Sequence, residues 1–342
     1  MSSIKALEKV TPKDISFVIQ GPVFAGTENG TGNLIDSIRS NFLGSKIILS
    51  TWSNQASNCD FLVDVLVEST DPGSFITYPT LNVMNNVNRQ IVSTVAGLKH
   101  VNTKYCVKIR SDLMILNDNI LRLLNSELMN CYSDSDYRLF SQRVIFSNEF
   151  FINPKGALKV AHHPCDWIQI GCTQDLIEIW DIPLAFEDDL LFWDSHEKPI
   201  DFPFVYSQSR FSAEEWIWVN FLKKKNDLTY PYSGANLSEN IAIQELIIRD
   251  NLIIANRKIL GFASIKYKLN RRMLYVVYSF FDWVKLSGNL SRFDALRLLS
   301  THDFRIMFWR FAYPSLIVLG HFLRLIKNYI VRKGLSAKYY LK

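Results

Sequence analysis

Four polar residues with complementary chemistry lie at the end of an apolar run in the first half of this chain. The run, residues 105–109, is rich in apolar and β-forming residues, which predicts a buried strand. Two cations, a hydroxyl and a carboxylate lie at or just past its carboxyl end: Lys108, Arg110, Ser111 and Asp112. Open α/β sheets tend to bind ligands at that edge, and a carboxylate there could hold a divalent ion against a diphosphate. The alternative is a solvated turn in which Ser111 or Asp112 bonds the local backbone.

Other polar residues are predicted to reach the same edge from distant parts of the chain. They are the strand-ending Gln20, Gly21 and Pro22, the turn residue Asp71, and Arg89 on the following helix. Each lies at or near the carboxyl end of a predicted strand, or on a helix that faces that edge, so a sheet would gather them. Together they offer a diphosphate cations, a metal-binding carboxylate and exposed backbone amides. Taken singly, each residue is more often a turn residue or a surface ion.

The elements that position these residues alternate between strand and helix. This βαβ pattern over roughly the first 115 residues predicts an α/β fold with a mostly parallel sheet flanked by helices. Glycines 26, 30 and 32 follow the first strand without the GxGxxG spacing, so a dinucleotide fingerprint is not supported. The predicted strands are residues 15–19, 46–52, 61–67 and 105–109, and the predicted helices are residues 33–42 and 82–100.

The pattern changes after residue 117. A helix is predicted at residues 119–129, a strand at 137–146, and a helix at 212–223 that begins with a capping box formed by Ser212 and Glu215. Residues 241–248 and 252–254 are ambiguous between helix and strand.

Composition and charge narrow the class of protein. The chain has 342 residues, of which 48% are hydrophobic and 21% charged, which is typical of a globular protein able to bury a sizeable core. The five cysteines form no CxxC pair, and no charged and apolar leader is recognised, so we expect a reduced cytoplasmic protein without disulfides or structural zinc.

The net charge of +5 is concentrated at one end of the chain. Residues 305–342 carry eight basic residues and no acid, which leaves −3 (+5 minus +8) for the preceding residues. A nucleic-acid groove over the main domain is therefore disfavoured. A cationic, aromatic segment of this kind suits an anionic membrane surface, although a core-packed helix with a solvated basic face is the alternative. The longest uncharged run there, residues 311–323, is too short to span a bilayer.

Several motifs, in order and in register, resemble the WavE-type lipopolysaccharide-synthesis family. They are ISFVIQGPV, KIILSTW, the DPG turn, NVNRQIVSTVAGL and YCVKIRSDL within residues 15–115, with a weaker echo at AEEWIWVNFL. That family resembles the GT-A class of glycosyltransferases. The resemblance implies a GT-A-like domain, which we assign to residues 1–260. The alternation of apolar and aromatic runs with cations that follows predicts a helical, basic and aromatic membrane-associating region at residues 261–342.

The resemblance also bears on cofactors. Asp112 stands where GT-A enzymes keep the last acid of their Asp-x-Asp metal motif, which implies Mg²⁺ or Mn²⁺ at Asp112. Arg110, however, occupies the place of the first Asp, so a metal-independent reaction stays open. In that case Arg110 or Lys108 would offset the charge of the leaving diphosphate.

An inverting sugar transfer needs a carboxylate that takes the proton from the acceptor hydroxyl. Glu215 is expected to serve the capping box, which leaves Glu214 as the candidate base; the alternative is that both acids only complement the helix dipole. A competing acidic cluster contains Glu187, Asp188, Asp189 and Asp194, for which a solvated loop is favoured. A second polar group contains His162, His163 and Asp166. Its spacing is not that of known metal ligands, so we expect a polar loop that could contact the acceptor.

These observations lead to one functional hypothesis and two alternatives. The chain is expected to move a sugar from a nucleotide-sugar donor to a lipid-linked glycan on the cytoplasmic face of a bacterial membrane, in lipopolysaccharide, O-antigen or capsule synthesis. Within the enzyme class, a CMP-linked sugar is the alternative to a UDP-linked one. Outside it, the alternative is a catalytically silent membrane adaptor of a polysaccharide assembly.

Overall fold

The computed structural model describes residues 9–24, 30–57, 60–79, 82–131, 136–264, 276–288, 298 and 303–308. The strands are β1 (Ile15–Gln20), β2 (Lys46–Trp52), β3 (Val65–Ser69), β4 (Phe75–Tyr78), β5 (Val83–Asn85), β6 (Tyr105–Arg110), β7 (Leu113–Ile115), β8 (Val144–Ser147), β9 (Ile168–Cys172), β10 (Leu252–Ala255) and β11 (Phe262–Ser264). The helices are α1 (Thr31–Asn41), α2 (Val87–Leu98), α3 (Asn119–Leu124), α4 (Thr173–Trp180), α5 (Glu187–Leu190), α6 (Phe192–Ser195), α7 (Ala213–Lys225), α8 (Leu237–Asn251), α9 (Arg257–Leu260) and α10 (Phe280–Ser287).

Within the described residues, a seven-stranded sheet in the order β10-β8-β9-β6-β1-β2-β3 forms the centre of the protein. Its neighbouring strands pair in parallel except for β9, which runs antiparallel to both β6 and β8. Every residue of β1 is buried, as expected for a strand covered on both faces of a parallel sheet. The predicted α/β class, with a mostly parallel sheet flanked by helices, is confirmed.

Helices α2, α4 and α7 pack against one another, and α2 also packs on β1, β2 and β3. The approach of α2 to the sheet is close at Gly97, where an added Cβ would lie 2.5 Å from the Cγ1 of Val18. Any larger residue would push α2 away from the sheet. This packing sets where α2 and α7 lie, and the first turns of both helices carry candidate site residues.

Smaller elements complete the described structure. Strands β4 and β5 form an antiparallel hairpin, and β7 pairs with β11. Helix α10 packs on α8 and β10, and the Trp283 Nε1 donates a hydrogen bond to the Leu252 carbonyl over 2.6 Å. The predicted boundary after residue 260 stays a prediction, although the described residues 262–264 and 280–287 pack on elements that precede it.

The basic tail lies outside the described residues, apart from residues 305–308. Its predicted association with membranes therefore stays a prediction. Across the described part of the chain, no helix combines the length and apolar character required to cross a bilayer.

Several predicted element boundaries differ from the structure. The helix predicted at residues 82–100 begins only at Val87, because the Asn85 side chain accepts the Val87 amide over 2.9 Å and residues 83–85 pair with β4 instead. The strands predicted at 61–67 and 137–146 are shorter and lie at Val65–Ser69 and Val144–Ser147. The helix predicted at 119–129 ends at Leu124 and is followed by a 3-10 turn at Glu127–Met129. The ambiguous segments belong to α8 and β10.

Candidate active site

A cleft of about 410 Å³ is lined by the residues that end β1, β2 and β6. It brings together seven of the predicted site residues: Gln20, Gly21, Pro22, Asp71, Arg89, Arg110 and Asp112. It is also lined by residues that sequence reasoning did not assign to the site, of which Trp52, Asn86 and Asp166 are examples. Lys108 and Glu214 are not among the lining residues.

The two loops that follow β1 and β6 are tied to each other. The Ser111 amide donates to the Gln20 carbonyl over 3.0 Å, and the Ser111 hydroxyl donates to the Pro22 carbonyl over 2.7 Å. Gly21 between them has a φ of 117°, a conformation that L residues with a Cβ rarely adopt, and an added Cβ would lie 3.1 Å from the Ser111 Oγ. The Gln20 side chain accepts the Ser93 hydroxyl of α2 over 2.9 Å. These hydrogen bonds tie the loops after β1 and β6 to each other and to α2.

Two bidentate ion pairs line this cleft. The Arg89 guanidinium donates to both Asp71 oxygens over 2.7 Å, and this hydrogen bonding holds the pKa of Asp71 below its usual range. The Arg110 guanidinium donates to both Asp112 oxygens, over 3.0 and 2.7 Å. The second pair is the more buried of the two. Both arginines have the planar geometry that binds phosphate oxygens bidentately.

Asp166 adds a third carboxylate to the cleft. Its Oδ2 lies 3.9 Å from the Nη1 of Arg110, and only 3% of the residue is exposed. Neither carboxylate oxygen has a hydrogen-bond partner within the described residues. A buried carboxylate that lacks hydrogen bonds is costly, which is why such groups so often mark functional sites. The Arg110 guanidinium lies between two carboxylates, those of Asp112 and Asp166.

The structure does not bring Lys108 to the cleft. Its side chain is fully buried, its Nζ donates a hydrogen bond to the main-chain carbonyl of Asp166, and it lies 4.8 Å from the ring of Trp180. Burial lowers the pKa of Lys108 to about 8, against the opposing effect of Asp166. The described contacts of Lys108 support the loop that carries Asp166, and the predicted contact of Lys108 with a donor stays a prediction.

The capping box predicted at the start of α7 is confirmed. The Ser212 hydroxyl accepts the Glu215 amide over 3.2 Å, and the Glu215 Oε2 accepts the Ser212 amide over 3.1 Å. Glu215 is buried, and it also accepts the hydroxyls of Tyr230 over 2.9 Å and Ser233 over 2.6 Å. Burial raises the pKa of Glu215 in spite of these bonds. Both carboxylate oxygens of Glu215 therefore accept hydrogen bonds from groups of the protein.

Glu214 precedes Glu215 in the same turn but has different surroundings. Its side chain is 24% exposed, and its Oε2 lies 3.6 Å from the Nε2 of His163. Burial raises its pKa, to which Asp166 adds, while His163 and Arg110 oppose the rise. A carboxylate with a raised pKa that remains accessible to a ligand has the properties of a general base.

One loop connects the cleft with Glu214. It runs from His162 to Trp167 just before β9, and it carries Asp166 towards Arg110 and His163 towards Glu214. Its carbonyls are anchored on both sides: that of His163 accepts the Ile152 amide over 3.0 Å, and that of Trp167 accepts the Arg110 amide over 3.1 Å. The polar loop predicted for this segment thus lies between the two halves of the candidate site.

The competing acidic cluster is placed elsewhere. Glu187, Asp188 and Asp189 form the first turn of α5, where Asp189 lies 3.6 Å from the guanidinium of Arg210. None of these acids lines the cleft. In the described part of the chain, no group of three or more histidine, cysteine, aspartate or glutamate residues could hold a metal ion. The metal-binding role assigned to Asp112 therefore stays a prediction.

Three solved structures show a limited likeness to this chain. A cytidylyltransferase from Leptospira borgpetersenii is 11% identical, with a TM-score of 0.30 over 68% of this chain and 96% of that one. HddC from Yersinia pseudotuberculosis is 13% identical, with a TM-score of 0.27 over 53% and 86%. A glycosyltransferase involved in glycosylation of the major capsid of PBCV-1 is 12% identical, with a TM-score of 0.24 over 48% and 64%. At TM-scores this low, we base no inference on these likenesses.

Sequence comparison gives a more definite result. No curated protein sequence matches this chain. A family model described as WavE lipopolysaccharide synthesis matches residues 15–310, which is most of the chain and includes the cleft, the connecting loop and the first turn of α7. This match confirms the family resemblance predicted from the motifs, and the family assigns the protein to lipopolysaccharide synthesis. The chain belongs to the WavE lipopolysaccharide synthesis family.

Proposed function

We propose that this protein is a glycosyltransferase that moves a sugar from a nucleotide-sugar donor to a lipid-linked glycan acceptor during the synthesis of lipopolysaccharide, O-antigen or capsule. One observation carries the proposal. A cleft at the strand ends with two guanidinium groups, those of Arg110 on β6 and Arg89 on α2, is joined through one anchored loop to a partly exposed carboxylate with a raised pKa. Guanidinium groups suit the diphosphate of the donor, and the carboxylate suits the acceptor hydroxyl that attacks the anomeric carbon of the donor sugar.

The proposed reaction is a single inverting displacement. The acceptor hydroxyl gives its proton to Glu214 while its oxygen forms a bond to the anomeric carbon of the donor sugar. The bond from that carbon to the nucleotide phosphate oxygen breaks, and the electron pair leaves with the phosphate. Arg110 and Arg89, both in the cleft, stabilise the negative charge that develops there.

The residues present do not form a metal site as they stand. Both oxygens of Asp112 accept hydrogen bonds from Arg110, and the same guanidinium lies 3.9 Å from Asp166. A cation at this position would compete with a guanidinium that already lies between the two carboxylates. We therefore derive no step through Mg²⁺ or Mn²⁺ and propose that Arg110 supplies the positive charge itself. A CMP-linked donor fits this chemistry as well as a UDP-linked one.

The proposal is tested by screening nucleotide sugars for protection of the protein against thermal unfolding. The panel contains UDP-, GDP- and CMP-linked sugars together with the free nucleotides. A ligand at 100 times its Kd should raise the free energy of unfolding by about 2.7 kcal/mol, because it binds only the folded state. We expect one nucleotide class to stabilise the protein. If no member of the panel shifts the melting temperature, the proposal fails and the adaptor hypothesis gains support.

We further propose that the protein works on the inner face of the cell membrane, held there by residues 305–342. Their eight cations would meet anionic lipid, each contributing about 1 kcal/mol near the surface. Truncation after Thr301 should release the protein from anionic vesicles and lower transfer to a lipid-linked acceptor more than to a short soluble one. Co-sedimentation with anionic and neutral vesicles at low and high salt checks this. If the full-length protein binds neither type of vesicle, the membrane proposal is wrong.

A further inference from the structure

His163 lies against Glu214 but has no part in the reaction proposed above. Its Nε2 is 3.6 Å from the Glu214 Oε2, and the imidazole is 10% exposed. Its other ring nitrogen, Nδ1, is buried and has no hydrogen-bond partner within the described residues. Within the described residues, the ring therefore faces the Glu214 carboxylate on its Nε2 side and has no hydrogen-bond partner on its Nδ1 side, while Glu215 interacts with it electrostatically.

This asymmetry determines which nitrogen carries the proton. A neutral imidazole has one N–H donor and one acceptor nitrogen. A proton on Nδ1 would bury an unpaired donor and would present the Nε2 lone pair to the Glu214 carboxylate, which is unfavourable on both counts. A proton on Nε2 points a donor at the carboxylate instead.

We propose that His163 is a positioning residue for Glu214, whose Oε2 accepts a hydrogen bond from the Nε2–H of the imidazole. This donor stabilises the ionised carboxylate and leaves the other oxygen, Oε1, to accept the proton of the acceptor hydroxyl. The inference rests on the proposed role of Glu214 as the base. The present separation shortens into a hydrogen bond once substrates fill the site, as is common for catalytic contacts.

The backbone around His163 is held in place. The His163 carbonyl accepts the Ile152 amide over 3.0 Å, and the preceding His162 adopts a left-handed conformation with a φ of 58°. The Nε2 of His162 lies 2.8 Å from the Oδ1 of Asn240 on α8. The backbone that carries the imidazole of His163 is thus held in place, which limits where the ring can lie.

Other charged and titratable groups also act on Glu214. Asp166, from the same loop as His163, destabilises the ionised form, while Arg110 at the end of β6 stabilises it. Lys108 lies deeper on β6, and Tyr78 lies on β4; both interact electrostatically with Glu214. Apart from His163, each of these groups is unchanged in the variants below, so a change in the titration of Glu214 is attributable to position 163.

Two substitutions distinguish the effect of the Nε2–H donor from the effect of the shape of the ring. His163→Phe keeps a planar ring of similar size and removes the donor. His163→Gln places an amide N–H near the position of the Nε2–H. Loss of a donor to an ionised carboxylate should raise the pKa of Glu214 by about one unit, since one unit corresponds to roughly the strength of such a bond. We expect the rise in His163→Phe and much less of it in His163→Gln.

The first measurement needs no substrate. The carboxyl carbon of Glu214 is followed by NMR against pH in protein labelled at glutamate, and the resonance is assigned by its loss in Glu214→Gln. His196→Phe is the matched control, because His196 is exposed and stacks on Phe192 with the ring centroids 3.9 Å apart. A pKa of Glu214 that rises in His163→Phe but not in the control supports the proposal. An unchanged pKa in His163→Phe overturns it.

The second measurement concerns the reaction. Glu214 must be ionised to accept a proton, so a higher pKa moves the acid limb of the profile of kcat/KM against pH to higher pH. His163→Phe should show this shift, and His163→Gln should restore most of the wild-type profile. If the NMR titration shifts and the rate profile does not, His163 does not serve the reaction, and the role of Glu214 as the base fails with it. If both variants lose activity equally with unchanged profiles, His163 is only structural and the proposal is wrong.

Discussion

Glu214 and Glu215 are neighbours in the first turn of α7, yet they differ in burial and in hydrogen bonding. Glu215 is buried and accepts hydrogen bonds from the Ser212 amide and the hydroxyls of Tyr230 and Ser233. Glu214 is 24% exposed and faces the imidazole of His163. Burial raises the pKa of both carboxyl groups.

This difference shows that a raised pKa alone does not identify a functional carboxylate. Structural networks perturb the pKa of buried groups as readily as active sites do. What separates the two residues is whether the oxygens remain available to a ligand. Those of Glu215 are engaged by three donors of the protein, whereas Glu214 keeps accessible surface and has the electrostatic neighbourhood of the cleft.

The largest expected effect comes from replacing Glu214. Glu214→Gln keeps the shape of the side chain and removes the base, so transfer should fall by about 10²–10⁴, the usual contribution of general base catalysis. Glu215→Gln is the matched control and should retain turnover in protein that is folded. Steady-state rates of both purified variants decide between them. The reverse pattern would show that Glu215 is the base and would remove the distinction drawn here.

Asp112→Asn probes the donor side of the site. The Asp112 carboxylate holds the Arg110 guanidinium through two hydrogen bonds, and an amide cannot replace both. We expect transfer to fall by about 10²–10³ because Arg110 is no longer held where charge develops on the leaving phosphate. Circular dichroism should show an unchanged fold. Near-normal turnover of folded Asp112→Asn protein would contradict the assignment of Asp112 to the site.

Parts of this arrangement can be predicted from the sequence because they depend on local spacing or on a general rule. The capping box needs only Ser212 and Glu215 three residues apart, and the structure confirms it. The carboxyl ends of parallel strands meet at one edge of a sheet, which is why residues as distant as Gln20, Asp71 and Arg110 line one cleft.

Other parts depend on packing between distant segments and could not be predicted. Lys108 lies two residues before Arg110 on the same strand, but it is buried against Trp180 of α4, which no local pattern reveals. Asp166 reaches Arg110 because β9 runs antiparallel to β6, with Ile168 opposite Ile109. The sequence predicts only that Asp166 lies in a polar loop before a strand, because the residues of β9 do not reveal the direction in which that strand runs.

Glu215→Gln should have a smaller effect, and on stability instead of catalysis. A glutamine offers one carbonyl oxygen where Glu215 accepts three hydrogen bonds, so at least one buried donor loses its partner. We expect the free energy of unfolding to fall by about 1–3 kcal/mol. Urea unfolding of Glu215→Gln beside Glu214→Gln measures this, and the change at the partly exposed Glu214 is expected to cost less. Equal losses would mean that Glu214 is also a structural residue.

The smallest expected effect is that of a chelator. Because the Arg110 guanidinium lies between Asp112 and Asp166, donor binding should be the same with and without EDTA. Calorimetric titration of the stabilising nucleotide sugar under both conditions provides the comparison. Loss of binding in EDTA that Mn²⁺ restores would show that these carboxylates hold a metal and that Arg110 does not replace it.

The central claim is that the cleft binds the donor while Glu214, outside the cleft, acts as the base. The most direct test is the affinity of Glu214→Gln protein for the nucleotide sugar that best stabilises the wild type. Glu214 is not among the residues that line the cleft, so the variant should bind the donor with the wild-type Kd while failing to transfer the sugar. Isothermal titration calorimetry gives this value. A variant that no longer binds the donor, or one that still transfers the sugar at the wild-type rate, would contradict the account.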